Sequence, residues 1–160
     1  MTICKPNDIK LHISSGEKLL GLDIGKKTIG LALSDASLKI ASPVKILHRT
    51  KFALDMPTLM AFADEQNVGG LVLGWPVNMD GSRGSRCDSI RDFAHALLKI
   101  RDIPIVFQDE RLSTKAVELA MVAADMTRAK RAERRDALAA CWILQSFLDY
   151  LHDHHITADT

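Results

Sequence analysis

A chain of 160 residues, 47% of them hydrophobic and 26% charged, has the balance of one packed domain, which excludes a disordered polyelectrolyte and leaves no room for two substantial lobes. Twenty-one Lys and Arg against twenty Asp and Glu give a formal charge of +1, so any hold on a polyanion has to come from a local basic cluster. Cys4, Cys87 and Cys141 are far apart and odd in number, which fits neither a disulfide framework nor a zinc knuckle and suits a reducing compartment.

In chain order, residues 1–17 lack the continuous apolar segment of a secretory signal, and the longest apolar run, 137–144, is too short to span a bilayer. The expectation is a cytoplasmic protein without membrane contact: an N-terminal extension over 1–17, one domain over 18–152 and a polar tail over 153–160. The apolar segments 18–24 and 28–34, separated by "GKK", predict two adjacent strands joined by a tight turn. In "PVKILHR", Val44, Ile46 and His48 alternate with Lys45, Leu47 and Arg49, which predicts a third strand and an antiparallel meander.

Asp55 and Pro57 read as the cap and first turn of a helix over "TLMAFADEQ", which ends before the Gly69-Gly70 break. The pattern then changes to a buried strand in "LVLGW" (71–75), a helix over 85–100 and a strand in "IPIVFQ" (103–108). Such an alternation favours parallel pairing. Helices over about 114–125 and 133–151, separated by "MTRAKRAERR", close the chain. In the second, Ala137, Ala140, Cys141, Leu144, Leu148 and Leu151 fall on one stripe for packing on the sheet.

Three acids stand where the pattern would favour an apolar or neutral side chain. Asp23 ends the first strand, Glu110 follows "IPIVFQD", and Asp136 opens the last helix close in angle to Ala139, Ala140 and Ile143. If the first and last strands of the parallel region are neighbours and this helix crosses their ends, the three converge. Their repulsion then demands a cation, and hard oxygen ligands favour Mg2+ or Mn2+. Two such ions roughly 3.5 to 4 Å apart suit phosphodiester cleavage, so the chemistry implied is a metal-dependent nuclease. Each acid also has an ordinary reading. Asp23 can serve a turn, Glu110 can cap a helix or pair with Arg111, and Asp136 can complement a helix dipole. Asp109 competes with Glu110, since strand alternation sends the two to opposite faces and the pattern leaves the register open.

Four stretches in this order, "GLDIGKKTIGLALSD" (21–35), "LGWPVNMDGSRGSRC" (73–87), "DERLSTKAVE" (109–118) and "DALAACWILQSFLD" (136–149), resemble the YqgF/RuvX family of pre-16S rRNA nucleases, also called Holliday-junction-resolvase-like proteins. The resemblance covers roughly 18–151. It implies an α/β, ribonuclease H-like fold, a mixed five-stranded sheet flanked by helices, with Asp23, Glu110 and Asp136 as catalytic metal ligands. It further implies trimming of the 5' end of precursor 16S rRNA, with junction resolution as the alternative. Trp75 in "GWP" departs from the aliphatic or basic residue more usual before the proline.

With that resemblance, the loop "PVNMDGSRGSR" offers backbone amides and Arg83 or Arg86 to phosphate, while Asn78, Asp80 and Gly81 either contact substrate or fix the loop's shape. The basic run 128–135, which includes Arg131 and Arg135 and immediately precedes Asp136, would steer a backbone into the acidic site; Lys26 and Arg111 are further candidate contacts. The expected partners are nucleic acid, as structured RNA or branched DNA, and at most a second copy in a weak homodimer. Trp75, Trp142 and Phe147 could stack bases, though the last two sit in a helix whose apolar residues serve the core. The terminal "HDHH" (152–155) reads as frayed helix end without a role. An actin-like phosphotransferase shares the Asp-x-Gly turn but needs two lobes. A factor that binds nucleic acid without cutting, acting on transcription, is the other rival.

Overall fold

The two apolar segments flanking "GKK" become β1 (Lys18–Ile24) and β2 (Thr28–Ser34), paired antiparallel with Leu22 opposite Leu31 and Asp23 opposite Gly30. These and all later positions come from a computed structural model that describes residues 3–76, 85–109 and 128–158, with side chains over 3–76, 87–109 and 137–152. The third strand, β3 (Ala41–His48), starts two residues before the predicted Pro43 and pairs antiparallel with β2. Pro43 is tolerated because β3 is an edge strand and the ladder shifts register beside it, between Leu31 and Ala32.

β4 (Val68–Trp75) and β5 (Ile105–Asp109) complete a mixed sheet of order β3-β2-β1-β4-β5, with β1, β4 and β5 parallel. Gly69 and Gly70 therefore lie inside a strand and do not break the chain. A Cβ at Gly69 would fall 2.6 Å from Glu17 Oε1, and one at Gly70 would fall 3.0 Å from Leu19 Cδ2, so both are glycine because neighbouring groups crowd them.

Helix α1 (Ile9–His12) is a single turn, and α2 (Phe52–Glu65) begins six residues before the predicted Thr58. Asp55 is not its cap. The Asp55 carboxylate reaches back to accept the Thr50 N–H at 2.9 Å and the Thr50 hydroxyl at 2.7 Å, while Lys51 occupies the N-cap and Pro57 lies within the helix. Helix α3 (Ser85–Ile100) has the bounds predicted from its spacing. Helix α4 (Arg128–Ala158) is longer than expected at both ends, so the basic run 128–135 is helical and "HDHH" lies within the helix. The helix predicted over 114–125 lies outside the described residues.

Strand alternation divides the core between the two faces of the sheet. On one, Leu20, Leu22, Leu31, Leu71, Leu73 and Ile105 pack with Met56, Leu59 and Met60 of α2 and with Ile90, Phe93 and Leu97 of α3. On the other, Leu19, Ala32, Val72 and Val106 pack with Ala140, Ile143, Leu144, Phe147 and Leu148 of α4. Gly21 permits the closest approach on that face, since a Cβ there would sit 2.8 Å from Leu144 Cβ and 3.0 Å from the Ala140 carbonyl.

The direction of α4 follows from its far end. The Tyr150 hydroxyl donates to Asn7 Oδ1 at 2.6 Å, in a segment that bonds to the start of β5 through Cys4 N–H and the Ile105 carbonyl. The C-terminal part of α4 thus covers the beginnings of the parallel strands, and its N-terminal turns lead toward their carboxyl ends.

Candidate active site

Asp23 stands half-buried near the end of β1, two residues beyond Gly21 and on the same face, the one covered by α4. Gly30 faces it across β2. On the other side Leu22 pairs with Leu73, which brings Gly74 next to Asp23 in the register. The carboxylate therefore projects between two buried glycines, neither of which places a side chain beside it.

The condition set for convergence, that β1 and β5 are neighbours, is not met, because β4 lies between them. Two strand spacings, about 10 Å, separate Asp23 from the level of Gln108, with Gly74 in the gap. Val106 belongs to the α4 face, so Gln108 does too. Asp109 follows Ile105 and Phe107 onto the opposite face and is exposed there. The sheet itself stands between Asp109 and Asp23, which removes Asp109 from any ion shared with that carboxylate. Asp136 occupies α4 one turn before Ala140, the residue whose carbonyl lies against Gly21; its side chain is outside the described set.

Glu110, Asn78, Asp80, Gly81, Arg83 and Arg111 lie outside the described residues, and Arg86, Arg131 and Arg135 are placed only as members of α3 and α4. Lys26 is exposed in the turn that follows Asp23. Among the described residues no three His, Cys, Asp or Glu side chains gather as a metal cluster, and of the expected triad only Asp23 has a described side chain. Trp75 packs its ring 4.5 Å from that of Phe107 on the α2/α3 face, and Phe147 is fully buried, so both serve the core; Trp142 is half exposed.

Sequence reading missed Arg49. Its backbone N–H donates to the Lys27 carbonyl at 2.8 Å, its guanidinium donates to the Gly25 carbonyl at 2.6 Å, and that guanidinium lies 5.7 Å from the centre of the Phe93 ring. It braces the turn directly after Asp23. Locally it is only one more residue of an alternating strand, so nothing in the sequence marked it. Cys87 likewise ties α3 to the end of β4, its thiol donating to the Pro76 carbonyl at 3.4 Å.

A mixed sheet in this order, helices on both faces and an acid near the end of its central strand define the ribonuclease H-like fold. Solved structures with the same architecture include Thermus thermophilus RuvC in complex with Holliday junction substrate, with a TM-score of 0.53 at 12% identity over 85% of this chain and 96% of that one. The Fowlpox virus resolvase bound to Holliday junction DNA gives 0.51 at 12% identity over 84% and 98%. These likenesses are of fold. At the level of sequence, the profile of the RuvX family, described as Holliday junction resolvase, matches residues 17–150, and the chain belongs to that family. Relatives named "Putative pre-16S rRNA nuclease" include those of Paramagnetospirillum magneticum, 52% identical over 93% of this chain and 96% of the relative, and Rhodospirillum rubrum, 50% identical over 94% of each. That of Bartonella henselae is 44% identical over 98% of this chain and 99% of the relative. No helix among the described residues is long and apolar enough to cross a membrane.

Proposed function

We propose that this protein is a metal-dependent nuclease of the cytoplasm that hydrolyses phosphodiester bonds in precursor 16S rRNA, with Asp23, Glu110 and Asp136 as its ligands for Mg2+ or Mn2+. The observation that carries the reading is the setting of Asp23: an acid at the carboxyl end of the central strand, between two glycines, on the face toward which the first turns of α4 lead. Three carboxylates offer hard oxygen donors, which fit a hard divalent ion. Such an ion supplies charge stabilisation to the phosphate under attack and lowers the pKa of bound water. The parity of Asp109 supports Glu110 as the acid from the end of β5.

The chain's own residues hold and orient. Gly30 and Gly74 leave room beside Asp23 for a phosphate to approach, Lys26 in the next turn offers it a cation, and Arg49 keeps that turn in place. The names of the relatives support precursor 16S rRNA as substrate. The family's description favours a second reading, cleavage of branched DNA, which would profit from a two-fold homodimer with paired sites where rRNA trimming would not.

The test uses purified protein with Mn2+ or Mg2+ on a precursor 16S fragment and on a four-way DNA junction. Asp23→Asn is expected to lower cleavage by at least a hundredfold while folding and much of the binding persist. Cleavage unchanged in that variant, or in excess chelator, refutes the mechanism. Binding without any cutting by the wild type assigns the protein to non-catalytic nucleic-acid recognition.

A further inference from the structure

The charge of +1 conceals a steep partition. Residues 24–54 hold six Lys and Arg against one acid, Asp35, leaving fifteen against nineteen for the rest of the chain. Asp35 lies at the far end of the β2–β3 hairpin, where its carboxylate accepts the Ser37 hydroxyl and the N–H groups of Lys39 and Ile40.

The opposite end of the hairpin is basic, and the fold gathers it from three elements. Lys26 and Lys27 occupy the β1–β2 turn, His48 ends β3 opposite Thr28, and Lys51 sits at the N-cap of α2; all four are exposed. Thr28 has the same parity as Gly30, so His48 projects on the face of Asp23, about 10 Å across the sheet from Gly25. The gathering is held by specific bonds. Arg49 clasps the carbonyls of Gly25 and Lys27, and Asp55 of α2 fixes Thr50, so the turn and the end of β3 keep a fixed spacing. Helix stability does not account for Lys51. It occupies the N-cap without a side-chain cap bond, a position at the positive end of the α2 dipole where an acid or a hydroxyl would be favoured. Like charges collected at a disfavoured position are relieved by a polyanion.

We infer that Lys26, Lys27, His48 and Lys51 form a basic ridge around the edge of the sheet, with His48 on the face of Asp23 and Lys51 at the start of α2 on the opposite face, that takes the sugar-phosphate backbone of a nucleic acid where it leaves Asp23, an inference that rests on the nuclease reading only for the position of the site. Beyond Lys26, which also faces the phosphate beside Asp23, the ridge sets how the substrate lies past the cut and leaves the cut itself to the acids.

The test measures binding of a fluorescently labelled hairpin RNA with single-stranded tails, and of the same sequence as DNA, over a range of salt. The full-length chain carries Asp23→Asn so that the probes stay intact. Adding Lys27→Gln and Lys51→Gln together is expected to weaken binding about tenfold and to reduce the slope of log affinity against log salt by about 2, one per lost phosphate contact. Thermal melting of the same variant reports that it is folded. The control, Lys10→Gln with Lys99→Gln, makes the same change in net charge at exposed sites elsewhere and is expected to leave the slope alone. An unchanged slope in the ridge variant, or an equal fall in the control, overturns the ridge. A wild type that binds through the ridge but cuts neither probe refutes the nuclease reading alone. Loss of slope with one probe only identifies which nucleic acid the ridge receives.

Discussion

Replacing Gly21 with alanine adds one methyl group between β1 and α4 at the tightest point of their contact. The new Cβ would lie 2.8 Å from Leu144 Cβ, about 0.7 Å short of the ~3.5 Å at which carbon–carbon contact becomes favourable, and 3.0 Å from the Ala140 carbonyl. Both obstacles belong to the helix frame, so no rotamer change relieves them and α4 has to lift. Overpacking of this kind costs about 1–3 kcal/mol, and at roughly 2–4 °C per kcal/mol in a chain of this size the melting temperature should fall by about 2–12 °C. The lift reaches Asp136 one turn away, and in the proposed role of that residue as a metal ligand a displacement approaching ~1 Å would cost cleavage up to about a hundredfold. Circular dichroism melting and metal-dependent cleavage, measured on the same preparation, check both effects. A second substitution sharpens the test: Leu144→Ala keeps its own Cβ and should give no rescue. Wild-type melting and cleavage in Gly21→Ala, or recovery with Leu144→Ala, would refute the claim that the helix frame itself seats on Gly21.

Two further substitutions probe the loops that set the hairpin and α2. Four hydrogen bonds, led by that from the Ser37 hydroxyl and completed by backbone N–H groups, lower the Asp35 pKa from 3.8 to about 2. Because the folded value lies below the unfolded one, this stabilisation is present above about pH 4 and lost as the pH falls through about 2. For so exposed a group the ~2.4 kcal/mol of simple linkage shrinks to about 1 kcal/mol, so Asp35→Asn should lower urea stability at neutral pH by that amount and flatten its decline between pH 5 and 2. Asp55→Ala leaves the Thr50 N–H and hydroxyl without their acceptor and should cost about 1–3 kcal/mol by urea titration, with Asp55→Asn recovering part of it.

The limits of β1, β2 and α3 were legible because each is an apolar pattern bounded by polar or glycine-rich sequence. The start of α2 was hidden because its organising bond runs from Asp55 back to Thr50, across a stretch without helical periodicity. The first turns of α4 were hidden for the opposite reason: Ala, Lys, Arg and Glu are strong helix formers, but with no apolar stripe among them they read as a charged linker. Asp23 was visible as an acid at a strand end. What sets it apart, the glycine on either side, depends on the register between β1 and strands both before and after it in space, and Gly74 is some fifty residues away in sequence. The sheet order that inserts β4 between β1 and β5, and with it the face of Asp109, is likewise a tertiary fact that local alternation does not contain.

The segment before β1 joins this core more closely than its sequence suggests. Ile3 bridges Ile105 at the open edge of β5, the Cys4 N–H donates to the Ile105 carbonyl at 2.7 Å, and the chain then turns through Pro6–Asp8 so that Ile9 inserts, fully buried, beneath Leu19 and Gly70. Gly70 is part of that fit, since a Cβ there would meet Ile9 Cδ1 at 3.3 Å and Ile13 Cγ2 at 3.5 Å. Ile9→Ala removes three buried carbons from a site closed by β-sheet backbone, which collapses poorly, so the loss should be about 2–5 kcal/mol, or roughly 4–20 °C in melting temperature. Because Ile9 lies at the beginnings of the parallel strands, away from Asp23, cleavage by the folded variant at 25 °C should match the wild type. Melting lowered by less than ~2 °C would mean that the segment unfolds separately from the sheet, and a fall in cleavage without a fall in stability would mean that it acts on the site and not on the core.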